Sequence, residues 1–378
     1  MLSALLETPG GGRLPAERLW GTAEREGWAM TSTERVLAAM EYLPVDRIPL
    51  FESYWPEFVR NWRSEKGLDA AADIREYYGV DLEICVPDET PWPSLAKTLE
   101  QNASGVVARN GWGAVHRTAP GRCFYEEVSV ALPEKVDPDR LCFEPVEDDE
   151  RYHGFLNAVQ RERAAGRCPF AKTGGPYLRT SNLRGTEQWL VDIAEDPRFA
   201  AALASRVVDH ITAVGVEAIR RAGLQSTGIW IFDDVASNQG PMVSPRAYEQ
   251  IFLPLMARMV AAYRAAGARY VVMHSDGNIL PILDMLVEIG IDGINPVEPK
   301  AGMDIVALRD RYAGRLALIG GLDNAGILPS GDRRRIQEHV ARCAAAAREG
   351  GIILGSHSIG PDIAVRDYDY AISIIRQA

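Results

Sequence analysis

Two of the six histidines, His274 and His357, follow directly on short apolar runs, in His274-Ser275-Asp276-Gly277 and Gly355-Ser356-His357. Residues i and i+2 of an extended segment face the same way, so His274 and Asp276 can address one ligand. With Glu298, which ends another such run, these four form a nitrogen and oxygen donor set suited to Zn2+ or another divalent metal. The same residues would also serve as anchors or acid–base groups for a substrate, or as hydrogen-bonded structural groups. Asp233-Asp234 closes a further run. Neighbours on a strand face opposite ways, so one carboxylate of this pair enters a site while the other supports it. Asp233, Asp234 and Asp88 are the candidate catalytic acids. Glu52, Tyr54, Trp55, Gly175, Tyr177, Asn238 and Asp323 are the candidate substrate contacts. Gly174-Gly175 would let a ligand approach the backbone closely, although a tight turn asks for the same glycines. Tyr54 and Trp55, with Phe51, Phe58 and Trp62, suit an apolar or aromatic substrate. Their spacing also partly fits a packed helix face.

These residues share a position: each ends, or closely follows, a short β-branched or apolar run. Such runs occur at Ile48-Phe51, Leu82-Val86, Pro169-Lys172, Gly228-Phe232, Tyr270-Met273, Gly293-Val297, Leu316-Ile319 and Gly351-Leu354. Nearly continuous apolar strands alternating with helices are what a buried parallel sheet requires. Eight such units predict a (β/α)8 barrel of the TIM type, whose active site lies at the carboxyl ends of its strands. An open doubly wound sheet would carry a Gly-rich phosphate turn after its first strand, and none is present. Helices are expected over residues 33–43, opened by a Thr31/Glu34 capping box, over 197–222 after Asp196-Pro197, and from Ser244-Pro245 to Gly267 with a bend at Pro254. Another is expected over residues 325–349. Residues 100–167 show an alternating stretch from Phe124 to Leu132 but no clean helix, and are expected to be an inserted hairpin and loop excursion.

The composition is ordinary globular, 47% hydrophobic and 25% charged, and 378 residues are enough for one large barrel or two smaller domains. A net charge of −11 argues against nucleic acid or an anionic membrane as partner. It leaves room for a small-molecule substrate and for a homodimer. The five cysteines are odd in number and scattered, without metal-finger spacing, which points to reduced, buried thiols and a cytoplasmic setting. Residues 1–30 lack a secretory pattern and are expected to be an N-terminal extension, so the folded domain runs over 31–378.

Several segments then occur in a telling order. They are Asp46-Arg47-Ile48-Pro49, Phe232-Asp233-Asp234 with Gly240-Pro241-Met242-Val243-Ser244-Pro245, His274-Ser275-Asp276-Gly277, Asn295-Pro296-Val297-Glu298-Pro299, Ile319-Gly320-Gly321-Leu322-Asp323 and Gly355-Ser356-His357-Ser358-Ile359. The series resembles the uroporphyrinogen decarboxylase-like superfamily over residues 31–378. That resemblance implies either a cofactor-free decarboxylase or a zinc-dependent methyltransferase working with a corrinoid protein. The decarboxylases' arginine-bearing loop is replaced by Leu50-Phe51-Glu52-Ser53-Tyr54-Trp55. Their active-site tyrosine is missing from Leu178-Arg179-Thr180-Ser181-Asn182, and Val235 stands near their serine. An acidic, aromatic mouth would also repel an octacarboxylate. The thiol-methylating branch implies a His-x-Cys pair and a later Cys as zinc ligands, where this chain has His274, Asp276 and His357. Harder ligands make a more Lewis-acidic metal, better matched to an oxygen-linked methyl group than to a thiol.

The expected function is therefore demethylation of a small apolar or aromatic donor toward a corrinoid protein. The metal would polarise the leaving heteroatom, and Asp233 or Asp234 would protonate it. The alternative is a metal-free lyase decarboxylating a small acid, with Asp88 and His357 stabilising the protonated intermediate. A catalytically idle scaffold is a third reading, disfavoured because so many strand-end acids are costly to keep without a task.

Overall fold

A computed structural model describes residues 29–120 and 125–378. Most of the expected extension over residues 1–30, and Cys123, lie outside the described residues. Met30 is buried, and its N–H donates to Asp46 Oδ2 at 2.9 Å.

The strands in chain order are β1 (Leu82–Cys85), β2 (Lys97–Asn102), β3 (Gly105–Arg109), β4 (Val115–Thr118), β5 (Glu126–Ser129), β6 (Cys168–Gly174) and β7 (Gly228–Phe232). They continue with β8 (Ala236–Ser237), β9 (Gly240–Pro241), β10 (Tyr270–His274), β11 (Gly293–Val297), β12 (Ala317–Gly321) and β13 (Ile352–Gly355). Seven of them form one parallel sheet in the order β1-β6-β7-β10-β11-β12-β13. Its strands are buried on both faces. Alternate residues pack into one inner cluster that includes Leu82, Phe170, Trp230, Val272, Ile319 and Ile353, drawn from both edges of the sheet, so the sheet is curled. Their neighbours face the surrounding helices in a second, larger cluster. This is why the sequence shows continuous apolar runs here rather than alternation.

The first expected strand differs. Around Leu50 there is only an isolated bridge, to Leu354, and no extended ladder. Phe51 N–H donates to Leu354 O at 2.9 Å, and Asp81 N–H donates to Leu50 O at 2.8 Å, so this segment touches both edge strands of the sheet. It approaches β13 so closely that a Cβ on Gly355 would lie 1.7 Å from Phe51 O. Asp81, fully buried, anchors its start: the carboxylate pairs with Arg35 at 2.6 Å and Arg47 at 2.7 Å and accepts from Leu50 N–H at 3.0 Å. The Asp46-Arg47-Ile48-Pro49 motif thus does structural work, fixing the chain beneath the site. Beyond Leu50 the segment and β1 part, and a cavity opens between them.

Most expected helices are present with shifted ends. The Thr31/Glu34 capping box is formed, and its helix is Ser32–Met40. Asp196 caps Pro197–Ala222. Among the described residues this helix alone is long and apolar enough to cross a membrane, but half of that stretch is buried in the fold. After Ser244 the chain makes a short helix, a π turn over Tyr248–Phe252 and then Leu253–Ala265. Pro254 has no N–H to give, and the wider turn absorbs the defect. The helix expected over 325–349 is only Arg333–Ala347, because Asp332 is the cap and Asp323 ties residues 325–326 into a turn.

The region 100–167 is corrected more substantially. It holds a four-stranded antiparallel sheet, β2-β3-β4-β5, and a 15-residue helix, Glu150–Ala164. The sequence signals that helix only weakly, because Tyr152, Phe155 and Val159 alone mark its buried apolar face, among many charges. Cys85, Cys168 and Cys343 are buried as expected, whereas Cys142 is exposed.

Candidate active site

His274 is the last residue of β10, and its ring is stacked on Phe232 of β7 with centroids 4.0 Å apart. Its Nδ1 lies 2.6 Å from Asn295 Oδ1. The Asn295 amide is oriented by its own Nδ2, which donates to Ile319 O at 3.1 Å. Oδ1 therefore faces the imidazole as an acceptor, and His274 Nδ1 carries the hydrogen. The other nitrogen, Nε2, is left with its lone pair toward the mouth. Burial pushes the imidazole down to about 4, with Asp234 opposing, so the ring is neutral near pH 7.

Around that nitrogen stand Asp276 Oδ1 at 3.5 Å and Asp234 Oδ1 at 3.6 Å. Asp276 Oδ1 is also 3.4 Å from His357 Nε2, and this buried oxygen accepts no hydrogen bond. Burial raises Asp276 to about 6, with His357 opposing and Asp234 and Glu298 reinforcing. One ligand atom from each of His274, Asp276 and His357 lies within 4.8 Å of the other two. An orphaned carboxylate oxygen facing two imidazoles is a donor set that fits a divalent cation of the zinc class. Asn295 is then the outer partner that orients a ligand, a residue the sequence reading passed over inside its motif.

Glu298 stands beside this trio rather than in it. Its Oε2 accepts from Gly277 N–H at 2.8 Å, while Oε1 is 3.0 Å from Lys300 Nζ and 3.9 Å from His357 Nδ1. It braces the turn that carries Asp276.

Of the Asp233-Asp234 pair, only Asp234 reaches the mouth, where its Oδ1 also accepts from Asp276 N–H at 3.1 Å. Asp233 is fully buried on the other side, so its reading as a catalytic acid is corrected. Its Oδ1 accepts from Leu178 N–H at 2.7 Å, and burial raises the carboxyl to about 7. Gly175 belongs to the same contact: a Cβ there would sit 2.3 Å from Asp233 Cβ. The glycine serves this packing.

A cavity of about 600 Å3 joins the mouth to the gap between residues 51–55 and β1. Its walls include Phe51, Glu52, Tyr54, Trp55, Ile84, Phe232, His274 and His357. Glu52 is held there by Ser356, whose N–H and Oγ–H donate at 3.1 and 2.8 Å, and burial raises its carboxyl to about 8. Tyr54 and Trp55 hydrogen bond to Tyr368 and Ser358 at 2.9 and 3.0 Å.

The remaining candidates lie elsewhere. Asp88 turns into its own loop, accepting from Thr90 N–H and Oγ1–H at 2.9 and 2.6 Å. Tyr177 is buried against Phe252. Asn238 is exposed in the β8–β9 turn. Asp323 caps residues 325 and 326 at 2.9 and 2.7 Å. Two residues outside those candidates stand near the mouth instead. Glu89 is buried beside Asp88, accepts from Gly174 N–H at 2.6 Å and pairs with Arg179. Lys172, on β6, holds its ammonium 3.9 Å over the Phe232 ring. Neither had a signal in the sequence beyond its place at a strand end.

The curled parallel sheet with a histidine- and carboxylate-lined mouth is that of an α/β enzyme fold. Residues 130–378 match the uroporphyrinogen decarboxylase (URO-D) family, and the chain belongs to it. The fold is similar to that of a solved methyltransferase from Methanosarcina mazei, at 18% sequence identity and a TM-score of 0.64. The match covers 92% of this chain and 99% of the other. A comparison with curated proteins finds no match.

Proposed function

We propose that this chain is a methyltransferase that takes a methyl group from a small apolar or aromatic donor, an O-methyl compound by the hardness of its ligands, and passes it to a corrinoid protein. In this reading residues 49–51 complete the seven strands as the eighth stave of a (β/α)8 barrel. The observation that carries it is the trio of His274 Nε2, Asp276 Oδ1 and His357 Nε2, drawn together without a cysteine. Family membership and the methyltransferase fold neighbour support the same direction.

His274, Asp276 and His357 would hold the metal. When bound, it supplies Lewis acidity at the leaving heteroatom. Asn295 keeps His274 Nε2 unprotonated and aimed, and Glu298 fixes the turn beneath Asp276. Asp234 is the carboxyl placed to hand a proton to the departing group. Phe51, Trp55 and Phe232 exclude water along the donor. A lyase centred on Asp88 and His357 loses support, since the Asp88 carboxylate is spent on Thr90.

The test is methyl transfer from a panel of aryl methyl ethers to free cob(I)alamin by the zinc-loaded protein, with CO2 release followed in parallel. The reading expects methylated cobalamin, dependent on His357. Release of CO2 from an acid without any acceptor would overturn it in favour of the lyase.

A further inference from the structure

Lys172 is an unexpected residue in the inner layer of a parallel sheet. It lies two positions beyond Phe170, a member of the inner cluster, and so faces inward with it. Strand β6 lies between β1 and β7, and both neighbours place a residue on the cavity wall, Ile84 and Phe232. Because β7 in turn lies between β6 and β10, the Phe232 ring has the Lys172 ammonium at 3.9 Å on one side and the His274 imidazole stacked on the other.

The charges near Lys172 are Arg179, Glu89 and Asp234. Glu89 is already committed, to Gly174 N–H and to Arg179. Asp234 is turned to Asp276 N–H and the His274 ring. Among the described residues, no carboxylate lies within ion-pairing distance of Lys172, whose ammonium instead meets the face of the Phe232 ring. A half-buried ammonium normally has an anionic partner, because burial without one costs several kcal/mol. Burial here lowers the amine to about 8, with Arg179 adding to the effect.

We infer that Lys172 is an anion subsite of the cavity, which selects an apolar or aromatic substrate bearing a carboxylate and seats that carboxylate against the ammonium, across Phe232 from the His274-Asp276-His357 trio. This rests on the reading of the mouth as the substrate site and adds the substrate class. The uncharged body of the substrate lies along Phe51, Ile84 and Trp55, and the carboxylate supplies the counterion that the fold withholds from Lys172.

The experiment is calorimetric binding of 4-methoxybenzoate and of its uncharged counterpart 4-methoxytoluene, without a methyl acceptor, to wild type, Lys172→Met and Lys172→Arg. A charge-assisted contact is worth about 1.5–3 kcal/mol, so wild type should prefer the carboxylate by about 10- to 100-fold. Lys172→Met should lose that preference while still binding the uncharged probe, and Lys172→Arg should keep most of it. If Lys172→Met does not fold, Lys172→Gln carries the same expectation. Equal binding of the two probes by wild type, no binding of either, or a preference that survives Lys172→Met would each overturn the subsite. A preference surviving in Lys172→Met would place the carboxylate on the metal ligands instead. Because no methyl acceptor is present, failure of methyl transfer leaves the subsite standing, and failure here leaves methyl transfer untouched.

Discussion

Replacing Asp233 by asparagine isolates the cost of keeping a carboxyl group inside the layer between sheet and helices. Asp233 is fully buried; Oδ1 accepts from Leu178 N–H at 2.7 Å and Oδ2 has no hydrogen-bond partner. Burial lifts the group from 3.8 to about 7. A raised carboxyl value means that the folded protein keeps a proton which the unfolded chain has already released. The fold is therefore most favoured below the unfolded value of 3.8, and this contribution is lost as pH rises toward about 7, levelling off above it. At about 1.36 kcal/mol per unit, the carboxyl costs roughly 3 kcal/mol more near pH 8 than near pH 5. Asparagine keeps the Oδ1 acceptor and cannot ionise. Urea denaturation of both proteins at the two pH values should show the variant gaining about 3 kcal/mol over wild type on going to high pH. The other titrating groups, Glu52 among them, are common to both proteins and cancel. A stability difference that stays constant with pH would refute the reasoning, since Asp233 would then ionise alike in the folded and unfolded states.

Two further outcomes follow from the same contacts. Gly175→Ala places a Cβ 2.3 Å from Asp233 Cβ, so it should lower stability by about 1–3 kcal/mol, read as a fall in Tm; an unchanged Tm would show that the two segments are free to part. Asn295→Leu removes the acceptor that fixes the His274 tautomer and should weaken zinc binding by about 10- to 100-fold in a chelator competition, whereas wild-type affinity would remove Asn295 from the site.

Much of the site could be read without coordinates because its residues end strands. The i, i+2 spacing of His274 and Asp276, and the placement of His357 after another apolar run, put all three at one mouth. The split of Asp233 from Asp234 followed from strand alternation, but which one faces inward depends on the curl of the sheet, and so on contacts far away in sequence. Asp88 and Glu89 show the same limit: a one-residue shift exchanged the loop-capping acid for the buried one. Tyr177, Asn238 and Asp323 also follow strands, but a helix start, a solvent turn and an Asx-type cap claimed them. Lys172 carried no signal because a single lysine after Pro169-Phe170-Ala171 looks like a strand's polar end; only the sheet order, which sets its ammonium over the Phe232 ring, singles it out. The fold was legible where apolar runs were continuous. It was least legible in β2 to β5 and in Glu150–Ala164, where charged surface residues outnumber the buried ones, and at Leu50, where the run is real but the ladder is reduced to one bridge.

The most direct measurement is metal content. Wild type, His274→Ala and Asp276→Ala, each loaded with zinc and then passed through a desalting column, are compared by elemental analysis. About one zinc per folded wild-type chain is expected, with a large loss in both variants, since each removes one of the three converging ligands. Wild-type protein without stoichiometric zinc or another divalent metal, or variants that retain it, would contradict the assignment of His274, Asp276 and His357 as a metal centre.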